Sequence, residues 1–267
     1  MSKVIDSFWR ALAYCFHPKV ILLSLLPLIL MAVIVMGLGV LYWELALNQV
    51  RTWMDTTSVM GWAWIWLERM GLMNLKAVVA PLVIIFAITP LVMIMVLVAV
   101  SFMMTPALVG LVSARRFPNL QRKHGGTFLQ SLGWTLLSII LALIAFILTL
   151  PLWWLPFMAL VLPPLIWGWL TYRVMVYDVL AEHATQPERV ELMNRFRFQL
   201  LGMGVLTGMM GAAPSLIWAS GALFAAAFVV LIPIAVWIYT LVFIFSSLWF
   251  AHMLIQALDE LRQETIL

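Results

Sequence analysis

Four long uncharged stretches set the pattern of this chain: 20–43, 77–114, 127–172 and 198–258. A helix crossing the hydrocarbon core of a bilayer needs about 20 consecutive apolar residues. The first stretch fits one span, 20–43, with Pro27 as a kink or a start. The second is longer than one span requires. Most of 77–104 is expected to cross, bent by Pro81 and Pro90, and Thr105-Pro106 is expected to break the helix and leave a tail, Ala107 to Ala114. The third is too long for one span and carries Pro151-Leu-Trp-Trp-Leu-Pro156 near its middle. It reads as a hairpin of 127–150 and 155–176, anchored at its turn by Trp153 and Trp154 and broken on the way back by Pro163-Pro164. The fourth reads as a second pair, 199–219 and 222–255, turning near Ser215 to Gly221 and bent at Pro233. Ahead of all of these, Val4, Ile5, Phe8, Leu12, Cys15 and Phe16 share one helical face within 3–17, which predicts a helix lying in the membrane interface.

Between the two hairpins lies a dense polar island, 177–197. It reads as two short helical arms with a turn at Ala184-Thr185-Gln186-Pro187. Thr185 followed three residues later by Glu188 is a capping box, and Pro187 fits the first turn, where its missing N–H is not needed. Glu191 precedes Arg195 by four, the better order for a helical ion pair. Two readings stand for this island: a solvated connector, or a face that meets an anion or a partner through Tyr177, His183, Arg189, Arg195 and Arg197.

Composition agrees with the pattern. Of 267 residues, 65% are hydrophobic and 10% charged, against roughly 25% charged in a soluble domain. The fold class predicted is all-α: a single multi-pass integral membrane domain, 1–267, with about six membrane-inserted helices, some of them possible partly penetrating hairpins. Of the 15 Lys and Arg residues, Arg51, Arg69 and Lys76 fall on one side of this arrangement and all the others on the opposite side. The positive-inside rule then puts both termini and the polar island in the cytoplasm. The basic balance is explained by topology, so nucleic acid is not an expected partner; membrane lipids are. The N-terminus does not read as a cleaved signal, since Asp6 interrupts its polar lead and the following apolar run is long.

Candidate chemistry is sparse. The single cysteine, Cys15, and four scattered histidines offer no metal-ligand spacing, so neither a metal nor a cofactor is expected. Ser215 lacks a nucleophile-elbow context and no paired carboxylates face a span, so no enzyme is expected. No ionisable group is placed at mid-membrane, which argues against a proton relay. Helices broken at Pro106, Pro156, Pro163 or Pro214 would present free N–H groups to an anion; packing kinks are the alternative. Glycines at Gly204 and Gly208 have the spacing that lets membrane helices approach closely. The three tryptophans at 62, 64 and 66 are expected at headgroup level within a mixed loop, 44–76.

The order of these features resembles a known family. An aromatic amphipathic helix leads to Pro18, and Leu-Leu-Pro27-Leu follows nine positions later. Thr105-Pro106-Ala-Leu-Val-Gly110-Leu111-Val112 resembles a Pro-x-x-Gly-Leu-Leu-Ala-Glu segment. Tyr177, His183, Glu188, Arg189 and Arg195 resemble a Tyr-rich basic connector before a last hairpin. Together they look like the CysZ-type sulfate permeases and the wider etoposide-induced-protein domain family. The chain departs from that pattern with one extra residue between Pro106 and Gly110, and with Ser113-Ala114-Arg115-Arg116 where the family carries an acid. The resemblance implies a bacterial inner-membrane homo-oligomer passing sulfate or a similar anion, with Gly110, Leu111, Arg115 and Arg116 as anion-binding candidates. Guanidinium forks suit tetrahedral oxyanions, and the same arginines also serve as topological anchors. The competing expectation is a non-transport scaffold or assembly protein whose cytoplasmic hairpin docks a partner.

Overall fold

The computed structural model describes residues 2–56, 75–123, 128–219 and 221–266. Among these residues every regular element is helical. In chain order they are α1 (Ser2–Cys15), α2 (Pro18–Thr56), α3 (Leu75–Arg116), α4 (Phe128–Thr149), a 3₁₀ turn (Leu150–Trp154), α5 (Pro156–Leu180), α6 (Gln186–Arg195), α7 (Arg197–Ala219) and α8 (Gly221–Ile266). Among the described residues, three helical stretches are long and apolar enough to cross a membrane: Pro18–Thr56, Leu129–Trp154 and Leu231–Glu264. Val78–Thr89 is a shorter apolar one. The protein is therefore an all-α membrane protein. The tryptophans at 62, 64 and 66 and the glycine pair 125–126 lie outside the described residues.

The chain divides into two compact units, one of Met1–Leu25 with Ser101–Leu267 and one of Leu26–Val100. In the second unit Leu47 and Met54 of α2 are buried against Ala80 and Ile84 of α3. This contact accounts for one departure from expectation. The segment following Trp43 is not a loop up to Thr56, because burial of Leu47 and Met54 carries the helix on through Glu44, Arg51 and Asp55.

In the first unit α8 is the central helix, and its stretch from Ile244 to Ile255 is buried throughout. Helix α1 lies along it. The Trp249 indole N–H donates to the Val4 carbonyl at 3.0 Å, and the Phe8 ring meets Phe245 and Trp249 edge-on at 5.2 Å each. The opposite side of α1 leaves Ile5, Trp9, Leu12 and Phe16 exposed, an apolar stripe suited to the membrane interface. Helix α5 packs against α4 and against α7. The α5–α7 approach is close because glycines face each other. A Cβ on Gly204 would overlap the Gly168 carbonyl oxygen, and one on Gly168 would sit 2.7 Å from the Val205 Cα. The Gly204/Gly208 spacing thus serves a contact inside the chain.

Three expected helix breaks do not occur. Helix α3 runs through Pro106 to Arg116, and α5 runs through Pro163 and Pro164. A proline removes one ladder hydrogen bond and crowds the preceding turn, but neighbouring packing holds the helix on course. Thr105, Leu108, Val109 and Val112 are all buried beside Pro106, and the glycine contact at Gly168 follows Pro164 by one turn. Helix α7 likewise continues through Pro214. The break at Pro156 does form: α4 ends at Thr149, the 3₁₀ turn follows, and Pro156 occupies the first turn of α5.

Candidate functional site

The last turn of α3 ends in Arg115 and Arg116, a favourable place for cations because helix C-termini carry partial negative charge. Arg115 is exposed. Arg116 is half-buried and turns toward α8. Its Nη1 lies 3.3 Å from His252 Nδ1, and its Nη2 donates to Gln256 Oε1 at 3.4 Å. The guanidinium also lies 5.2 Å from the centre of the Phe117 ring. A guanidinium only donates, so His252 Nδ1 must present its lone pair, and the neutral imidazole carries its proton on Nε2. His252 is fully buried, and its Nε2 has no hydrogen-bond partner among the described residues. The Tyr14 ring from α1 meets the imidazole edge-on at 4.6 Å. Farther along α1, Arg10 Nε donates to Asp6 Oδ2 at 2.7 Å. Among the described residues Arg116 forms no ion pair. Three helices therefore converge on a cation whose charge no carboxylate neutralises directly.

Gly110 and Leu111 lie farther up the same helix, both half-buried. The Gly110 carbonyl accepts from Ser113 Oγ at 3.2 Å, and open space surrounds its Cβ position. Because α3 is unbroken at Pro106, this stretch offers no free helix N-terminus. Whatever anion affinity it has comes from the arginine side chains.

The polar island behaves differently. Thr185 caps α6 with both bonds of the box: Glu188 N–H donates to Thr185 Oγ1 at 3.5 Å, and Thr185 N–H donates to Glu188 Oε2 at 2.7 Å. The first arm is the end of α5, not a separate short helix. Glu188 also accepts from Lys123 Nζ at 2.9 Å and from Arg262 Nε and Nη2 at 3.0 and 3.1 Å. Arg262 continues to the His183 carbonyl at 2.6 Å and the Gln121 carbonyl at 2.9 Å. Burial alone would raise the Glu188 pKa. The bonds from Arg262, the Thr185 backbone and Lys123 outweigh it and hold the carboxyl down at about 2.

The other island residues are also turned to structural contacts. Tyr177, His183 and Arg189 are buried, with the Arg189 guanidinium 4.0 Å from the Tyr177 ring centre. Arg195 forks onto Glu264 at 2.7 and 3.0 Å, not onto Glu191 as the spacing suggests. Arg197 is exposed and lies over the Phe198 ring at 4.6 Å. The C-terminal acidic segment takes part in the same kind of contact. Glu260 pairs with Lys3, Glu264 with Arg195, and Arg262 with Glu188.

Sequence reasoning missed His252, Gln256 and Arg262. His252 carried a readable signal, as the sole histidine in the uncharged run 198–258, because polar groups inside such runs are costly and mark sites. No group of three or more His, Cys, Asp and Glu side chains that could hold a metal comes together among the described residues.

A family model described as Sulfate transporter CysZ/Etoposide-induced protein 2.4 matches residues 7–220. Neither a curated protein nor a solved structure gives a match.

Proposed function

Because the chain belongs to the sulfate transporter CysZ/etoposide-induced protein 2.4 family, we propose that it passes a small inorganic anion of the sulfate class across a bacterial inner membrane. The single observation that carries this reading is Arg116: half-buried, in contact with His252 and Gln256, and without a carboxylate partner among the described residues. A half-buried guanidinium with no direct ion-pair partner among the described residues is a ready partner for an oxyanion, which accepts two parallel N–H bonds from its fork. Arg115, exposed one residue earlier, adds positive potential that raises the local anion concentration. Both termini and the polar island face the cytoplasm, following the distribution of Lys and Arg, and Gly110 and Leu111 lie on the helical approach to the arginines. The conducting unit is a homo-oligomer, and about six helices per protomer enter the membrane.

The test is uptake of radiolabelled sulfate into proteoliposomes holding the purified protein, against empty liposomes. Saturable uptake competed by unlabelled sulfate supports the reading. Uptake equal to empty liposomes, with the protein monodisperse and inserted, removes sulfate as the substrate.

A second reading, a scaffold that docks a partner, draws on one feature of α6. Its outer side forms an open groove lined by Gln186, Pro187, Val190, Glu191 and Asn194, with Val190 exposed. Substituting Val190→Glu should abolish partner capture under that reading and leave sulfate uptake unchanged under the first.

A further inference from the structure

The two α8 groups that hold the Arg116 guanidinium are both uncharged, and they stand one helical turn apart. His252 Nδ1 lies 3.3 Å from Arg116 Nη1, and Gln256 Oε1 accepts from Nη2 at 3.4 Å. Residues four apart on a helix share a face, so the pair clamps the two ends of the guanidinium. The Tyr14 ring of α1, edge-on to the imidazole at 4.6 Å, packs the histidine in place. His252 and Gln256 lie beyond the residues that the family model matches, 7–220, so the family match says nothing of them.

Gln256 is held in one orientation by what stands on its other side. Its Nε2 donates to Glu260 Oε1 at 3.2 Å. A carboxylate only accepts and a guanidinium only donates. The amide between them must therefore turn its NH2 to Glu260 and its oxygen to Arg116. The other oxygen of Glu260 accepts from Lys3 Nζ. The Glu260 charge is thus matched by Lys3, and what reaches Arg116 through Gln256 is a hydrogen bond without a charge. On the α1 side, the Asp6 carboxylate is likewise taken up by Arg10, at 2.7 Å. A carboxylate in place of the Gln256 amide would instead form a charge-assisted pair with Arg116 and compete for the N–H groups that an oxyanion needs.

We infer that His252 and Gln256 are positioning residues for the anion: they fix the Arg116 guanidinium with neutral acceptors and leave its charge for an incoming oxyanion. The inference rests on the anion reading of Arg116 and adds to it the residue type that position 256 must carry. An amide there keeps the site open, and a carboxylate closes it with an internal ion pair.

The experiment measures binding of radiolabelled sulfate to the purified full-length protein by scintillation proximity, with uptake into proteoliposomes recorded beside it. Gln256→Glu should weaken sulfate binding about tenfold, because an internal carboxylate competes for the guanidinium. Gln256→Met, which removes the acceptor and adds no charge, should weaken it only about threefold, the loss of one hydrogen bond. A merely structural role for Gln256 predicts the reverse order, since Gln256→Glu keeps a bond to Arg116 and Gln256→Met loses it. Gln263→Glu makes the same change at an exposed position farther along α8 and should leave binding unchanged. Wild-type binding in a folded Gln256→Glu protein overturns the inference, as does an equal loss in Gln263→Glu. If Gln256→Glu does not fold, as judged by circular dichroism and size exclusion, Gln256→Met decides, and unchanged binding there overturns the inference. Sulfate binding by the wild type without uptake above empty liposomes removes the transport reading and leaves the clamp to be judged by its variants. Absence of sulfate binding by the wild type overturns the clamp, whatever the uptake.

Discussion

Two polar clusters in the same unit, one around Glu188 and one around Arg116, solve the problem of buried charge in opposite ways. Glu188 accepts from Lys123, from Arg262 twice and from the Thr185 backbone. Every group there has its complement, so the cluster has nothing left to offer a ligand, and its effect is to tie α6 to the C-terminal end of α8 and to the segment after α3. Arg116 touches one imidazole and one amide, and no carboxylate shares its charge. Charge balance separates the clasp from the proposed anion site more clearly than residue type does, since both clusters are built on arginine.

The substitution with the largest expected effect lies outside both clusters, at the α5–α7 contact. Gly204→Leu forces a side chain into the Gly168 carbonyl, so α5 and α7 must separate. The expected loss is about 3 kcal/mol or more, read as a lower unfolding midpoint in detergent and loss of a monodisperse peak. Arg262→Ala is more selective. It leaves the Glu188 carboxylate mostly buried and short of its main partner, a change costing about 3 kcal/mol, while sulfate uptake per folded molecule stays at the wild-type value. A stability loss accompanied by an equal loss of uptake would erase the distinction between clasp and site.

Acid should reach the clasp by a predictable route. The Glu188 pKa is depressed from 4.5 to about 2. Between those values the unfolded chain binds more protons at this residue than the folded one does, so stability there rises with pH. The Glu188 contribution is complete above about pH 4.5 and is lost as pH falls through about 2. Unfolding midpoints measured from pH 6 to pH 2 should fall across that window, and Glu188→Gln should flatten the fall. The smallest effect belongs to Thr185→Ala, which removes the cap oxygen and leaves the ion pairs in place, at about 1 kcal/mol.

What the chain reveals before its structure is known follows the range of the interactions involved. The Thr185/Glu188 box was legible because it is closed within four residues. The helical class was legible because long apolar runs have few other solutions, and family membership because the order of features survives divergence of individual motifs. The partners of Glu188 were not legible, because Arg262 comes from the far end of the chain and its charge says nothing about where it lands. Helix breaks at Pro106 and Pro163 were overestimated because a proline's local cost is offset by packing that only the fold supplies. Gly204 and Gly208 announced a close approach without saying to what, and the answer was α5 of the same chain. At the candidate anion site the sequence singled out Arg116 but not its neighbour His252, although a lone histidine in an uncharged run was the available clue.

The most direct measurement sets Arg116→Gln beside Arg262→Ala in one experiment, recording initial sulfate uptake per inserted molecule and unfolding midpoint for each. The account predicts that Arg116→Gln loses most of its uptake with a midpoint near wild type, while Arg262→Ala loses stability and keeps its uptake. Wild-type uptake in a folded Arg116→Gln protein would contradict the assignment of Arg116 to the anion.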